Sequence, residues 1–180
     1  MSSRPHALPR WVAAVHATSR AFGVAAAGLI LISIVVICQM VFVRAVLGAS
    51  SIWQTEFVMF AIIVSTFLGA PYIMLTRGHV AVDVVPLMIS TSARRRLYVL
   101  GGAISLAFCG FFLYASVSWW YEAWHLNLTT PTIWRARLWI PYLAVPIGLA
   151  LLCLQIFADV WMVFNRRSEP FEGFSPEEHP

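Results

Sequence analysis

Four long apolar stretches divide the sequence, and they restrict the possible folds more than any other feature. They cover about 21–43, 57–75, 97–120 and 138–163. The first and third contain no Asp, Glu, Lys or Arg. Glu56 lies next to the start of the second, and Asp159 lies near the end of the fourth. A helix needs about 20 apolar residues to cross the hydrocarbon core of a bilayer. The sequence therefore predicts an all-α membrane protein with four transmembrane helices.

The composition also indicates a membrane protein. Of the 180 residues, 60% are hydrophobic and 11% are charged, and the mean hydropathy is +0.78. A soluble domain has about 45–50% apolar and 25% charged residues. Cys38, Cys109 and Cys153 lie within apolar stretches and have no CxxC spacing. The cysteines therefore predict neither a disulfide framework nor a zinc site.

The arginines predict the orientation in the membrane. All twelve basic residues are arginine, and the net charge is +4. If both termini face the cytoplasm, nine arginines lie inside and three lie outside, namely Arg44, Arg135 and Arg137. The positive-inside rule favours this topology, which accounts for the basic charge without a nucleic-acid partner. We expect a cytoplasmic arm over 1–20, a transmembrane domain over 21–163 and a cytoplasmic acidic tail over 164–180.

Small residues and prolines suggest how these helices pack. Small residues recur at every fourth position on the second and third stretches, namely Ala61, Ser65, Gly69, Gly101, Ser105 and Cys109. Such residues let membrane helices approach closely, here mainly within the chain. Pro71 and Pro146 should each free a backbone carbonyl and bend a helix, whereas Pro141 fits the first turn of the fourth helix.

The segment SIWQTEF begins the second stretch and contains Trp53 and Glu56. A carboxylate in the first turn of a helix is stabilised by the unpaired N–H groups there, so Glu56 is interpreted as an interfacial anchor. The alternative is a salt bridge from Glu56 to an arginine of another helix or subunit, because ionisable groups at membrane depth are usually paired.

The segment RGHVAVDVVP follows the second stretch and contains Arg77, Gly78, His79 and Asp83. Its valines make it apolar enough to lie in the membrane interface, with Arg77 near lipid phosphates and His79 and Asp83 bonded to backbone groups. A proton relay or a metal site is the alternative. Two ligands are too few for zinc, so we predict no metal.

Three consecutive arginines, Arg94, Arg95 and Arg96, immediately precede the third stretch. Cations are disfavoured at a helix N-terminus, so their position needs another cause. The attraction of anionic phospholipid headgroups and the positive-inside bias explain the position of these arginines.

Catalytic motifs such as GxSxG, HExxH or a phosphate-binding loop are missing from the sequence, so we expect neither an enzyme nor a cofactor. The histidines at positions 6, 16, 79, 125 and 179 fall outside the span interiors. This placement argues against a haem-binding anchor, whose axial ligands come from within the helices. A haem- or quinone-binding anchor of a respiratory complex and a small self-assembling transporter or channel, with Glu56 in the pore, remain alternatives.

A series of short motifs extends from about residue 53 to residue 152. They are Trp53 and Glu56, Phe67-Leu68-Gly69, Arg77-Gly78-His79 with Val82-Asp83, the arginines of the third stretch, Thr130-Pro131, Trp139-Ile140-Pro141-Tyr142 and Pro146-Ile147-Gly148. In this arrangement the chain resembles the small membrane subunits of tripartite ATP-independent periplasmic (TRAP) transporters, the DctQ-like family.

This resemblance implies a four-helix subunit of the bacterial inner membrane. Its partners would be a large multispanning permease subunit and a periplasmic substrate-binding protein. Together they would take up an organic acid, driven by sodium, while the small subunit acts as a scaffold. The resemblance makes the motif residues, among them Gly69, Pro141 and Pro146, candidates for structural or partner contacts.

Overall fold

A computed structural model describes residues 9–48, 52–76 and 91–165. These residues form five helices: α1 (Arg10–Leu47), α2 (Trp53–Leu75), α3 (Thr91–His125), α4 (Trp139–Tyr142) and α5 (Ala144–Phe164). α4 and α5 together make one apolar unit of 26 residues, so four units are long and apolar enough to cross a membrane. The described residues contain no β-strand, and the prediction of an all-α membrane protein with four transmembrane helices is confirmed.

The helices pack in the order α1, α2, α5, α3, each mainly against its neighbours in that order. α1 also touches α5, but α3 makes its main contacts with α5. Because the two outer helices do not close the arrangement, many apolar side chains remain uncovered. Within the most apolar 18-residue part of α3, no side chain is buried in the chain.

Glycines let neighbouring helices approach closely at three points. A Cβ atom on Gly148 of α5 would overlap the carbonyl oxygen of Phe67 in α2, and one on Gly23 of α1 would overlap the ring of Tyr72. Gly69 lies against α1, with 3.4 Å from its Cβ position to the Cβ of Ala26. Ala61 and Ser65 are buried as well, so the small residues predicted on the second stretch pack within the chain.

The third helix departs from the predicted pattern of small residues. Gly101 has open space around its Cβ position, whereas a Cβ on the adjacent Gly102 would overlap the side chain of Val160. Ser105 is exposed as well. The close contact between α3 and α5 is thus made one position away from the predicted stripe, because α5 covers a neighbouring face of the helix.

The first helix begins at Arg10, well before residue 21, where the predicted membrane span begins. Val12 is fully buried in a cluster with Ala158 and Met162, and Trp11 packs edge-on against Trp161 with ring centroids 5.3 Å apart. This packing explains why the helix extends into the predicted N-terminal arm. With 38 residues and about 1.5 Å of rise per residue, α1 is longer than a bilayer core is thick.

The prolines affect the helices differently. α2 continues through Pro71 as a single helix, while the last unit is interrupted at Leu143, between α4 and α5. Pro146 has no N–H to donate to the carbonyl of Tyr142, four residues earlier, which weakens helical bonding at this point. Pro141 is buried within the short helix α4.

Candidate functional site

Ionisable side chains are not gathered into a reactive centre in the described part of the chain. Over 9–48, 52–76 and 91–165, no group of three or more His, Cys, Asp or Glu residues could hold a metal ion. His16 lies in the second turn of α1, and its Nε2 atom is inaccessible to solvent without a hydrogen-bond partner in the described residues. The features able to support a function are therefore surfaces, grooves and buried polar contacts.

The first turn of α2 contains a carboxylate with unmet hydrogen-bonding capacity. Both carboxylate oxygens of Glu56 are inaccessible to solvent, and no described residue forms a hydrogen bond with them. The preceding Gln54 instead bonds to α1, donating from Nε2 to Oε1 of Gln39 over 3.1 Å. An unsatisfied buried polar group is costly, more so when it is charged. Glu56 thus has the chemistry to accept a donor from outside the described chain.

A chain of polar side chains links α1 to α5 in the interior. The hydroxyl of Ser19 donates to Oε1 of Gln155 over 3.3 Å, and Nε2 of Gln155 donates to Oδ1 of Asp159 over 3.2 Å. Ser19 and Gln155 are fully buried. This contact was not predicted from the sequence. The spacing of Gln155 and Asp159, four residues apart in an apolar stretch, is a signal that could have indicated it.

The loop between α3 and α4 is held in a defined shape by backbone and side-chain hydrogen bonds. Thr129 and Arg137 form an isolated antiparallel bridge. The backbone N–H of Thr130 donates to the carbonyl of Ala136 over 3.0 Å, and the N–H of Ala136 donates to Oγ1 of Thr130 over 3.0 Å. Arg135 has a φ of 47°, a left-handed conformation uncommon outside glycine. These hydrogen bonds therefore hold the backbone of Arg135 and Arg137 in a defined position.

A groove of about 640 Å³ lies beside this loop, between α2 and the α4–α5 unit, and Phe22 and Leu29 of α1 also line it. Its walls are almost entirely apolar and include Phe57, Phe60 and Val64 from α2 and Ile140 from α4. Trp134 packs on Phe60, with ring centroids 6.5 Å apart. Arg135 and Arg137 also line the groove, where the loop meets the first turns of α2.

Aromatic side chains cluster at both ends of the helical layer. At the end of α3, Trp119 stacks on Tyr142 at 4.2 Å and Trp124 packs edge-on against Trp139 at 4.8 Å between ring centroids. At the other end, Trp11 packs on Trp161. Tryptophan and tyrosine are enriched at both membrane–water interfaces, and these clusters have that distribution.

The three arginines at the start of α3 differ in their surroundings. Arg95 donates from its guanidinium to the carbonyl of Phe164, and its guanidinium carbon lies 5.9 Å from the centroid of that phenyl ring. Arg96 is exposed, and the side chain of Arg94 is outside the described part of the structure. Arg95 thus binds the last turn of α5, where unpaired carbonyls favour a cation.

The family model for tripartite ATP-independent periplasmic transporters, DctQ component, matches residues 33–166. This match runs from the middle of α1 past the end of α5 and covers more than half of the chain. The chain belongs to the DctQ family. The resemblance inferred from the short motifs is thereby confirmed. DctQ proteins are transporter components and not a family of enzymes.

A curated DctQ relative is the C4-dicarboxylate TRAP transporter small permease protein DctQ of Rhodobacter capsulatus. The two sequences are 27% identical over 122 residues, which is 68% of this chain and 53% of the relative. The chain therefore spans about half the length of the relative it matches.

The DctQ motif residues predicted from the sequence do not converge on one point. Trp53 is 42% exposed at the start of α2, on the same helix as the carboxylate of Glu56. Gly69 packs inside the chain, and Pro141 and Pro146 are buried at the α4–α5 junction. Arg77, Gly78, His79 and Asp83 lie outside the described residues.

Proposed function

We propose that this chain is the small permease subunit of a TRAP transporter. It acts as a scaffold in the bacterial inner membrane, with both termini in the cytoplasm. It binds a large multispanning permease subunit, and that subunit carries an organic acid delivered by a periplasmic binding protein, with sodium as the driving ion. The observation that carries this proposal is the DctQ family match over residues 33–166.

The packing of the helices supports a role as a partner's scaffold. α3 contacts α5 on one side and leaves large apolar side chains such as Leu100, Ile104 and Phe108 exposed. Gly101 and Gly110 have no atoms within 4 Å of their Cβ positions. Close packing at small residues drives association of helices in lipid. The exposed apolar side chains and glycines of α3 therefore form an edge that can pack against a larger membrane protein.

Glu56 is our candidate for a polar contact with the large subunit. Its carboxylate oxygens are inaccessible and have no hydrogen-bond partner in the described residues. Because the side chain as a whole is partly exposed, a change of rotamer would bring these oxygens to a cation or N–H donor of the large subunit. Carboxylates at membrane depth are usually paired in this way. Trp53, one turn away and 42% exposed, would pack beside that contact.

The segment containing Arg77, Gly78, His79 and Asp83 is our second candidate contact. Gly78 would allow a turn after α2, and His79 and Asp83 would hold the following residues along the membrane surface or against the large subunit. The spacing of His79 and Asp83 in an apolar interfacial run motivates this assignment. If the variant with both His79→Ala and Asp83→Ala retained complex assembly and uptake, the assignment would be abandoned.

Native mass spectrometry of the tagged chain, extracted in mild detergent from its own membranes, tests the proposal. We expect a stoichiometric complex with one larger multispanning protein. A homo-oligomer would instead favour a small self-assembling transporter, and an added haem mass with visible absorption would favour a respiratory anchor.

The same preparation tests Glu56. Glu56→Gln should reduce recovery of the larger protein, because the neutral amide loses the charge that a cationic partner recognises. Glu122→Gln is the matched control, since Glu122 is exposed near the end of α3. Equal recovery with the two variants would remove Glu56 from the interface.

A further inference from the structure

The groove between α2 and the α4–α5 unit combines an apolar body with a cationic mouth. Apolar and aromatic side chains form its walls, and the charged residues that line it are Arg135 and Arg137. Both arginines are exposed, so their guanidinium groups are available to a ligand. A ligand that fills this groove must therefore be largely hydrocarbon, with a negative group at one end.

The length of the groove matches one leaflet of a bilayer. Its wall on α2 runs from Phe57 to Leu68, which is about 17 Å at about 1.5 Å per residue. Half of a hydrocarbon core about 30 Å thick is about 15 Å. The cationic mouth lies beside the first turns of α2, where a helix entering the membrane meets the headgroups. Trp134, next to the mouth, is a residue type enriched at that level.

We propose that this groove binds a phospholipid with an anionic headgroup. An acyl chain lies between Phe60 and Ile140, and the headgroup phosphate is held by Arg135 and Arg137. The lipid belongs to the leaflet that contains the start of α2. This inference concerns the chain's own groove, and it stands whether or not the proposed transporter role is correct.

The loop geometry supports a preformed headgroup site. Arg135 keeps a left-handed φ of 47°, and the hydrogen bonds between Thr130 and Ala136 hold the turn around it. A backbone held in a sparsely populated conformation is often associated with binding. Guanidinium groups suit phosphate because several N–H donors lie in one plane.

A lipid titration of the full-length chain tests the proposal. The purified chain is stripped of lipid in detergent, and phosphatidylglycerol or phosphatidylcholine with identical acyl chains is added. Native mass spectrometry then measures the fraction of lipid-bound protein. We expect one bound phosphatidylglycerol per chain, with roughly tenfold preference over phosphatidylcholine, because the choline cation of the latter is repelled by the two arginines. Equal binding of the two lipids would overturn the proposal.

Arginine variants locate the headgroup. Arg137→Gln should weaken phosphatidylglycerol binding roughly fivefold and phosphatidylcholine binding less, since the choline cation of phosphatidylcholine already offsets part of the attraction between Arg137 and the phosphate. Arg44→Gln is the matched control, because Arg44 is an exposed arginine in the last turn of α1 that does not line the groove. An equal effect of both variants would show diffuse attraction and contradict a site.

Groove-filling variants locate the acyl chain. Val64→Trp should reduce the binding of both lipids, because Val64 lines the groove and a larger side chain occupies its space. Ile62→Trp on the same helix is the control, since Ile62 is 52% exposed and outside the groove. If Val64→Trp binds lipid like the unsubstituted chain, or if a photocrosslinker at Ile140 in the native membrane captures protein instead of lipid, the proposal fails.

Discussion

At the scale of single residues, the contact between α2 and α5 depends on Gly148. Its missing side chain lets α5 lie directly on the backbone of Phe67. Gly148→Ala should destabilise the chain by about 1–3 kcal/mol, because a backbone carbonyl cannot move aside as a side chain could. The measurement is the thermal midpoint in detergent, followed by tryptophan fluorescence.

Gly110→Ala is the control for Gly148→Ala. Gly110 has open space at its Cβ position, and alanine favours a helix over glycine. This control should leave the midpoint unchanged or raise it slightly. A midpoint for Gly148→Ala equal to that of the control would contradict the close approach of α5 to α2.

A second prediction concerns the hydrogen-bonded polar side chains that link α1 to α5. Gln155 accepts from Ser19 and donates to Asp159, and two of the three residues are fully buried. A double-mutant cycle of Ser19→Ala and Gln155→Met should give a coupling energy of about 0.6 kcal/mol, typical of polar contacts between membrane helices. The cycle is measured by unfolding in mixed micelles. Additive effects would mean that the two side chains do not interact.

At the scale of elements, α3 is attached to α5 at one end by Arg95. The guanidinium of Arg95 reaches the carbonyl of Phe164 in the last turn of α5. Arg95→Gln should increase hydrogen exchange in the backbone over 160–165 roughly threefold to fivefold, since a charge-assisted bond at an exposed helix end is lost. Mass spectrometry of the peptide covering these residues gives the rates.

Arg96→Gln is the control for the Arg95 variant. It removes the same charge from the adjacent position, where the side chain is exposed. Exchange over 160–165 should therefore stay close to that of the unsubstituted chain. If both variants raise exchange equally, net charge and not the Arg95 contact holds the end of α5.

At the scale of the whole molecule, the helices form an open layer, with α1 and α3 at its edges. Because lipid provides little hydrophobic drive between helices, side chains exposed in such a layer need not be covered by protein. Small residues at the edges allow close approach by a partner. The open layer is therefore compatible with lipid binding in the groove and with a role as a scaffold for a partner protein.

The orientation in the membrane is a prediction for the whole molecule. The loop between α3 and α4 should face the periplasm, because nine of the twelve arginines then lie inside. Ile133 is 88% exposed in this loop. Ile133→Cys should be labelled by a membrane-impermeant maleimide in intact spheroplasts. The unsubstituted chain, with its three native cysteines, supplies the background.

Asn165→Cys, at the other end of the layer, completes the orientation experiment. Asn165 is exposed just after α5 and should be labelled only after the membrane is permeabilised. Labelling of Asn165→Cys in intact spheroplasts, with protection of Ile133→Cys, would reverse the predicted topology.

The fold class and the family could be predicted from the sequence alone. Long apolar stretches with few charges have few alternatives to membrane helices, because every backbone polar group must be satisfied within lipid. The motifs around Trp53, Gly69 and Pro146 indicated a DctQ protein, and the match over residues 33–166 confirmed it. Apolar stretches and short motifs are local features, so they can be recognised without knowing which helices are neighbours.

The contacts between helices could not be predicted in the same way, because they depend on how the helices pack. Ser19 bonds to Gln155 and Arg95 bonds to Phe164, each on a different helix. Likewise, Gly102 and not Gly101 lies against α5. Apolar residues occur on every face of a membrane helix, so their spacing does not show which face a neighbour covers. The groove beside Arg137 also depends on tertiary packing, because α1, α2, the loop and the α4–α5 unit all contribute to its walls.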